Sequence, residues 1–236
     1  MAVYVYAIAA ASHPVRLDDL TGVGDPPEEV ATVEESGLTA VISAVPEGLR
    51  ARRRDVMAHQ EVLQRLMADG AVLPLRFGTV AARPQEVQEA LKKNADFYRE
   101  RLHALAGCAE YLLKASLDED FMLRQILLDS PEIRRLNDES RDSGDTDLKL
   151  RLGELVAREL QARGDAAASQ VREALRPLAR EIHENEPHGD DFFSVSLLVE
   201  EARREALLDT ESGLAARLGE GYRFRLHGPL PPYSFV

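Results

Sequence analysis

The last nine residues of the chain read Gly228-Pro229-Leu230-Pro231-Pro232-Tyr233-Ser234-Phe235-Val236. The end of a chain is usually polar and poorly ordered, whereas this one is apolar. Its prolines restrict the backbone, so little conformational entropy is lost when the segment is fixed against a surface. We therefore expect Leu230, Tyr233, Phe235 and Val236 to be buried, so that a tail over residues 228–236 docks between two domains.

Two other interpretations of this segment stay open. It is also consistent with a strand that continues its own domain. The spacing Pro229-x-x-Pro232 fits a polyproline ligand for a partner protein as well, and this spacing is common in proteins.

The composition is typical of a globular protein and excludes several classes of function. A length of 236 residues is enough for two small domains. A net charge of −12 disfavours binding to nucleic acid and to anionic lipid membranes. The single cysteine, Cys108, excludes an internal disulfide framework and suits a reducing cytoplasm. Val3, Tyr4, Val5 and Tyr6 favour a strand, and the segment lacks the basic start of a signal peptide.

Residues 1–107 predict an N-terminal α+β domain. Two strand-like runs around Ser36-Gly37 indicate a β-hairpin, and Pro74 indicates that its strand lies at a sheet edge or contains a bulge. The predicted elements are a strand from residue 3, a loop over 18–27, the hairpin over 29–45, a helix over 49–68, a strand over 72–78 and a helix over 84–105.

Residues 108–227 predict a C-terminal modified ferredoxin-like domain with one strand missing or replaced. A projecting helical hairpin over about 118–186 interrupts it, and its return arm is expected to reach about Glu184 if Pro177 only kinks it. The run from Asn137 to Asp147 has no apolar residue and predicts a mobile tip between the two arms. The remaining predicted elements are strands over 110–116, 192–199 and 222–227 and a helix over 200–218.

Motifs for catalysis or metal binding are not recognisable in this sequence. No Gly-rich loop ends in Gly-Lys-Ser/Thr, so a P-loop is not expected. The nearest candidates for metal ligands are His183, His188 and Asp191. They do not match a zinc protease, which needs two histidines four residues apart on one helix. Pro187 would also interrupt such a helix. Cys108 has no local signature of a nucleophile and is interpreted as a small core residue. We therefore expect no catalytic, cofactor-binding or metal-binding residue and no enzymatic activity.

Arg50, Arg52, Arg53 and Arg54 form a basic cluster at the start of a predicted helix. They either pair with acidic neighbours or dock an acidic partner. On the same helix, His59 is expected to face solvent or a polar contact.

Four segments together resemble the GvpL/GvpF family of gas vesicle proteins, and the likeness covers essentially the whole chain. They are Val3-Tyr-Val-Tyr-Ala-Ile, Gly37-Leu-Thr-Ala-Val-Ile-Ser, Val72-Leu-Pro-Leu-Arg-Phe-Gly-Thr and Gly228-Pro-Leu-Pro-Pro-Tyr-Ser-Phe. The resemblance implies an N-terminal α+β domain, a modified ferredoxin-like domain with a helical hairpin, and a tail that ties them together. It carries no catalytic residue over to this chain.

The resemblance implies an accessory or minor structural protein that binds the hydrophobic shell protein of gas vesicles in the cytoplasm. Binding to other gas vesicle accessory proteins is left open. Two alternatives remain. One is a scaffold that binds other accessory proteins through the helical hairpin. The other is an enzyme or ligand binder for small molecules, because ferredoxin-like folds host many functions.

Overall fold

The structure is a computed structural model that describes residues 1–142 and 144–236. It consists of two compact units. The first contains Met1–Glu110 together with Pro229–Val236, and the second contains Tyr111–Gly228. None of the described helices is both long and apolar enough to cross a lipid bilayer.

The first unit is built on a six-stranded sheet with the order β2-β3-β4-β1-β5, in which β6 also pairs with β1. Its strands are β1 (Val3–Ala10), β2 (Thr21–Gly24), β3 (Pro27–Glu35), β4 (Leu38–Ala44), β5 (Val72–Pro74) and β6 (Val80–Ala81). Its helices are α1 (Arg53–Asp69), α2 (Pro84–Lys93) and α3 (Ala95–Leu105).

Strand β1 occupies the centre of this sheet. It pairs antiparallel with β4 on one side and with β5 and β6 on the other. Every residue from Val3 to Ala9 is buried. This explains why the run has no charged residue, since a strand covered on both faces reads as nearly continuous apolar sequence. The predicted first strand is therefore confirmed as the middle of the core.

The predicted hairpin is confirmed as β3 and β4. Glu35 pairs directly with Leu38, which leaves Ser36 and Gly37 as a two-residue turn. Both turn residues have positive φ, at 53° and 71°. This is the backbone that matches the twist of a tight hairpin.

Two predictions for the first unit are wrong in detail. The expected loop over 18–27 contains β2, whose glycines have a low propensity for strands. Gly22 is needed there because a Cβ would lie 2.5 Å from the Tyr6 hydroxyl oxygen. The single helix expected over 84–105 is two helices, which meet at Asn94. Phe97, near the start of the second of these helices, is 53% exposed.

The second sheet has the strand order β10-β7-β9-β8. With its helices it follows the order of a ferredoxin-like fold, with three helices in place of the first one. The elements are β7 (Cys108–Leu117), α4 (Glu119–Asp129), α5 (Pro131–Asp142), α6 (Thr146–Leu175), β8 (Ala179–Glu184), β9 (Asp191–Glu200), α7 (Arg204–Leu218) and β10 (Tyr222–Leu230). The predicted α+β class with a modified ferredoxin-like part is confirmed.

The prediction that one strand is missing is wrong. The helical return arm ends at Leu175 and not near Glu184, and residues 179–184 form β8, paired antiparallel with β9. Pro177 stands in the turn between helix and strand and does not kink a continuous helix. Strand β8 is an edge strand rich in charged residues, so its sequence lacks the apolar alternation that would reveal it.

The polar run from Asn137 to Asp147 is mostly helical. Residues up to Asp142 complete α5, and α6 begins at Thr146, so the prediction of a long mobile tip is wrong there. Ser143 lies outside the described residues. Side-chain oxygens support the helix ends: Ser140 Oγ donates to the Asn137 carbonyl at 2.9 Å, and Asp145 accepts the backbone N–H of Asp147 at 2.9 Å.

The close packing of Gly228 against the Tyr111 ring in the second unit can be tested by its effect on stability. A Cβ at Gly228 would lie 2.4 Å from the Tyr111 ring, and φ is +153°. We expect Gly228→Ala to lower the free energy of unfolding by about 1–3 kcal/mol. The control is Gly153→Ala in α6, where an added Cβ meets no atom within 4 Å. That substitution should instead stabilise by up to about 1 kcal/mol in chemical denaturation, and equal effects would contradict the analysis.

Candidate functional site

A buried histidine lies at the centre of the first unit. His59 of α1 is 1% exposed. Its Nδ1 lies 2.8 Å from the hydroxyl of Tyr4 in β1, and its Nε2 lies 3.1 Å from the hydroxyl of Tyr233 in the tail. One imidazole therefore joins the first strand, the first helix and the end of the chain.

Aromatic rings surround this imidazole and exclude water. Tyr6 stacks on His59 with ring centroids 5.6 Å apart, and Tyr4 meets it edge-on at 5.7 Å. Phe77 closes the cluster at 5.7 Å from the imidazole. Tyr4 and Tyr6 both come from β1 and pack against each other at 4.7 Å.

The Tyr4 hydroxyl links His59 to the backbone. The backbone N–H of Gly78 donates to the Tyr4 hydroxyl oxygen at 3.1 Å. A neutral imidazole has one donor and one acceptor nitrogen. Each of these two nitrogens therefore has a tyrosine hydroxyl as its partner.

Burial keeps all members of this network neutral near pH 7. It lowers the pKa of His59 from 6.5 to about 4, and a backbone hydrogen bond at Leu75 opposes only part of this effect. Burial also raises the pKa of Tyr233 to about 12 and that of Tyr4 well above its ordinary value. The network thus provides fixed hydrogen bonds rather than a general acid or base.

Two further residues of the first unit bind the tail. The carboxylate of Glu110, which is 5% exposed, accepts the backbone N–H of Ser234 at 2.9 Å and its hydroxyl at 2.7 Å. Arg101 of α3 donates through Nε and Nη2 to the carbonyl oxygen of Phe235, at 3.0 and 2.6 Å. Tyr233, Ser234 and Phe235 are thus contacted by His59, Glu110 and Arg101 in turn.

The four tail residues expected to be buried differ in their environment. Phe235 is 6% exposed, whereas Leu230 and Tyr233 are half-buried. Val236 is 47% exposed, so its predicted burial is wrong. The 3₁₀ turn over Tyr233–Phe235 directs the Phe235 side chain inward and leaves Val236 beside a surface groove of about 280 Å³.

The arginine cluster is divided in its contacts. Arg54 pairs with Asp25 at 2.5 Å and lies 3.4 Å from Asp55. Asp55 is 3% exposed and accepts the backbone N–H of Gly24 at 3.0 Å, which ties α1 to β2. The other three arginines are exposed, and within residues 1–142 and 144–236 their side chains make no ion pair: Arg50, Arg52 and Arg53.

The other residues considered for chemistry do not converge. Cys108 is half-buried at the start of β7, and His183 is exposed in β8. His188 lines an open cleft of about 610 Å³ in the second unit, where Arg225 pairs with Asp191. No group of three potential metal ligands occurs among the described residues.

Sequence reasoning missed the most important residues of this site. His59 makes the polar contacts expected of it, but it is buried, and the alternative that it faces solvent is wrong. A signal was present, because the buried residues of α1 share one helical face: Asp55, His59, Val62, Leu63 and Leu66. Glu110 and Arg101 had no such signal, since their partners lie 124 and 134 residues away.

The chain is similar to gas vesicle proteins over its whole length. The family model described as gas vesicle synthesis protein GvpL/GvpF matches residues 2–236. Gas vesicle protein F of a Streptomyces species (strain CB03234) is 40% identical over 238 aligned positions, which cover 100% of both chains. Gas vesicle protein L1 of Halobacterium salinarum is 30% identical, over 92% of this chain and 83% of that protein.

Solved structures share this fold. The crystal structure of the gas vesicle protein GvpF from Anabaena sp. PCC7120 superposes with a TM-score of 0.84 at 23% identity, over 99% of this chain and 97% of that one. The crystal structure of GvpF from Microcystis aeruginosa gives a TM-score of 0.78 at 23% identity, over 99% of this chain and 98% of that one.

The low pKa of His59 predicts a specific pH dependence of stability. Between pH 6.5 and about 4 the unfolded chain binds a proton at this histidine and the folded chain does not, so stability falls as the pH falls. We expect the stability advantage of the wild type over His59→Gln to shrink by about 3 kcal/mol across that range. Urea denaturation at a series of pH values measures it, with exposed His188→Gln as the control. Parallel curves for wild type and His59→Gln would contradict this assignment.

Phe235 and Val236 should differ in how much each contributes to the free energy of unfolding. Phe235→Ala removes a buried ring and should cost about 3–5 kcal/mol of unfolding free energy. The same change at exposed Val236 should stay within about 0.5 kcal/mol. Chemical denaturation of both variants tests this, and similar losses would show that the tail is not anchored by Phe235.

Proposed function

We propose that this chain, which belongs to the GvpL/GvpF family of gas vesicle synthesis proteins, binds the hydrophobic shell protein and assists gas vesicle assembly in the cytoplasm. Its role would be that of an accessory or minor structural protein without catalytic activity. The observation that carries the proposal is the family match over residues 2–236. That match supports a role related to gas vesicles.

A shell subunit that faces gas on one side must carry an apolar surface, which aggregates in water unless another protein covers it. The groove beside Val236 offers apolar surface for such a contact. Its lining is largely apolar and contains one charged residue, Arg76. Phe97 and Val236 stand at this groove and are 53% and 47% exposed. A pocket of about 280 Å³ can hold a few apolar side chains of a partner.

A scaffold that binds other accessory proteins through the helical hairpin is the second candidate. Leu128 at the end of α4 and Leu150 in α6 are 64% and 63% exposed. Large apolar side chains on exposed helices are common at contacts with partner helices. This candidate predicts that the hairpin, and not the groove beside Val236, carries binding.

The proposal that the chain is not an enzyme is supported by a charged carboxylate in a second cleft. This cleft, of about 460 Å³, lies in the second unit and is lined by Asp118 and Arg223, which pair with each other. The backbone N–H of Phe121 lowers the pKa of Asp118, and Arg223 adds to that effect. A carboxylate held in its charged form by such partners is a poor general acid.

The exposed arginines at the start of α1 support a contact with an acidic partner. Arg50, Arg52 and Arg53 stand out on a chain whose net charge is −12. Binding through them should weaken as ionic strength rises, because exposed charges are screened. A contact through the apolar groove should instead be insensitive to salt.

Co-purification of the shell protein with full-length variants tests the proposal. We expect the double substitution Phe97→Ser and Val236→Ser to reduce the recovered shell protein at least about tenfold, which corresponds to about 1.4 kcal/mol. The matched control is Leu128→Ser with Leu150→Ser on the hairpin, which should leave recovery unchanged. Each assay is run with and without the other accessory proteins.

Loss of recovery in the hairpin variant alone would favour the scaffold. Loss only when other accessory proteins are present would mean that the contact with the shell protein is indirect. Full recovery of the shell protein with both variants would show that neither surface carries the binding.

A further inference from the structure

The tail is recognised through its sequence and not only through its apolar character. Three residues of the first unit each bind one tail residue. His59 binds Tyr233, Glu110 binds Ser234 and Arg101 binds Phe235. The tail site, defined here as His59, Arg101, Glu110 and the surface around Phe235, therefore contacts the hydroxyls of Tyr233 and Ser234 and buries the Phe235 ring. The bond from Arg101 to the Phe235 carbonyl fixes the direction of the segment.

This site needs an occupant of matching chemistry. The carboxylate of Glu110 is buried and accepts an N–H and an O–H from Ser234. A buried charge without such donors is strongly unfavourable. The buried imidazole of His59 likewise needs a hydrogen-bonding partner at Nε2. An apolar segment of similar size would offer Glu110 a backbone N–H but no hydroxyl, and it would offer His59 no hydroxyl.

The segment that leads into the site is more exposed than the tip. Gly228 and Pro229, at the end of β10, are exposed, and Leu230 and Pro231 are half-buried, whereas Pro232 and Phe235 are buried. The contacts of the tip are hydrogen bonds and side-chain packing that do not depend on which chain supplies it. Exchange of an identical end segment between copies is a low-cost route to dimers.

We infer that the tail site also accepts the tail of a second copy of this chain, so that copies are linked by exchanged Tyr233-Ser-Phe235 segments. In a dilute solution the chain's own tail wins, because it is present at a high effective concentration. Exchange becomes favourable where many copies are crowded together. The partner is thus another copy, bound through residues 228–236.

Two full-length variants test this by complementation. The acceptor carries Tyr233→Ala and Phe235→Ala, so its tail is inactive and its site is intact. The donor carries Arg101→Ala and Glu110→Gln, so its site is weakened and its tail is intact. In sedimentation experiments we expect the mixture to form a 1:1 dimer with a Kd at least about tenfold lower than that for self-association of either variant. A donor that also carries Phe235→Ala should not form it.

A peptide of residues 228–236 provides a second measurement that does not depend on the donor. It should bind the acceptor in fluorescence anisotropy, and a peptide with Ala in place of Phe235 should bind at least about tenfold more weakly. Circular dichroism verifies folding, and the single substitution Phe235→Ala replaces the acceptor if the double variant is unfolded. Peptide binding without a mixed dimer would show recognition within one chain only and would overturn the inference. Absence of peptide binding to a folded acceptor would overturn it as well.

Discussion

The hydrogen bonds of His59 connect parts of the chain that are 55 and 174 residues apart. A neutral imidazole can be buried at low cost only if both of its nitrogens find partners. Here Tyr4 supplies one partner and Tyr233 the other, so the core of the first unit depends on a segment from the far end of the chain. The aromatic rings around this network exclude the water that could otherwise replace either tyrosine. Strand β1, helix α1 and the tail therefore form one cooperative structure.

Much of the architecture could be predicted because local patterns determine it. The apolar run of β1 and the Ser36-Gly37 turn each carry their signal within a few residues. Strand β8 could not be found in this way, because an exposed edge strand is stabilised by its pairing with β9 and not by its own apolar pattern. The polar end of α5 was equally hidden, since its support comes from contacts within the hairpin.

The site was harder to predict than the fold. The position of His59 on the buried face of α1 was available from its spacing, but the sequence could not show which hydroxyls would meet it. The partnership of Glu110 with Ser234 and of Arg101 with Phe235 arises only when the chain is folded. The tail's apolar composition predicted docking, yet the polar contacts that fix its register belong to residues with no distinguishing neighbours. Long-range polar pairs of this kind leave no periodic signal in a single sequence.

The central position of β1 has a consequence for how the first unit folds. This strand is buried from Val3 to Ala9, and its partners β4, β5 and β6 lie about 30 to 80 residues further along the chain. Its sheet can therefore form only after loops of that length have closed, and each closure costs entropy before any pairing compensates it. Domains dominated by such distant contacts fold slowly compared with those built from local helices. During that interval an uncharged strand remains open to pairing with other chains, so the folding rate of the first unit should set how much protein is lost to aggregation.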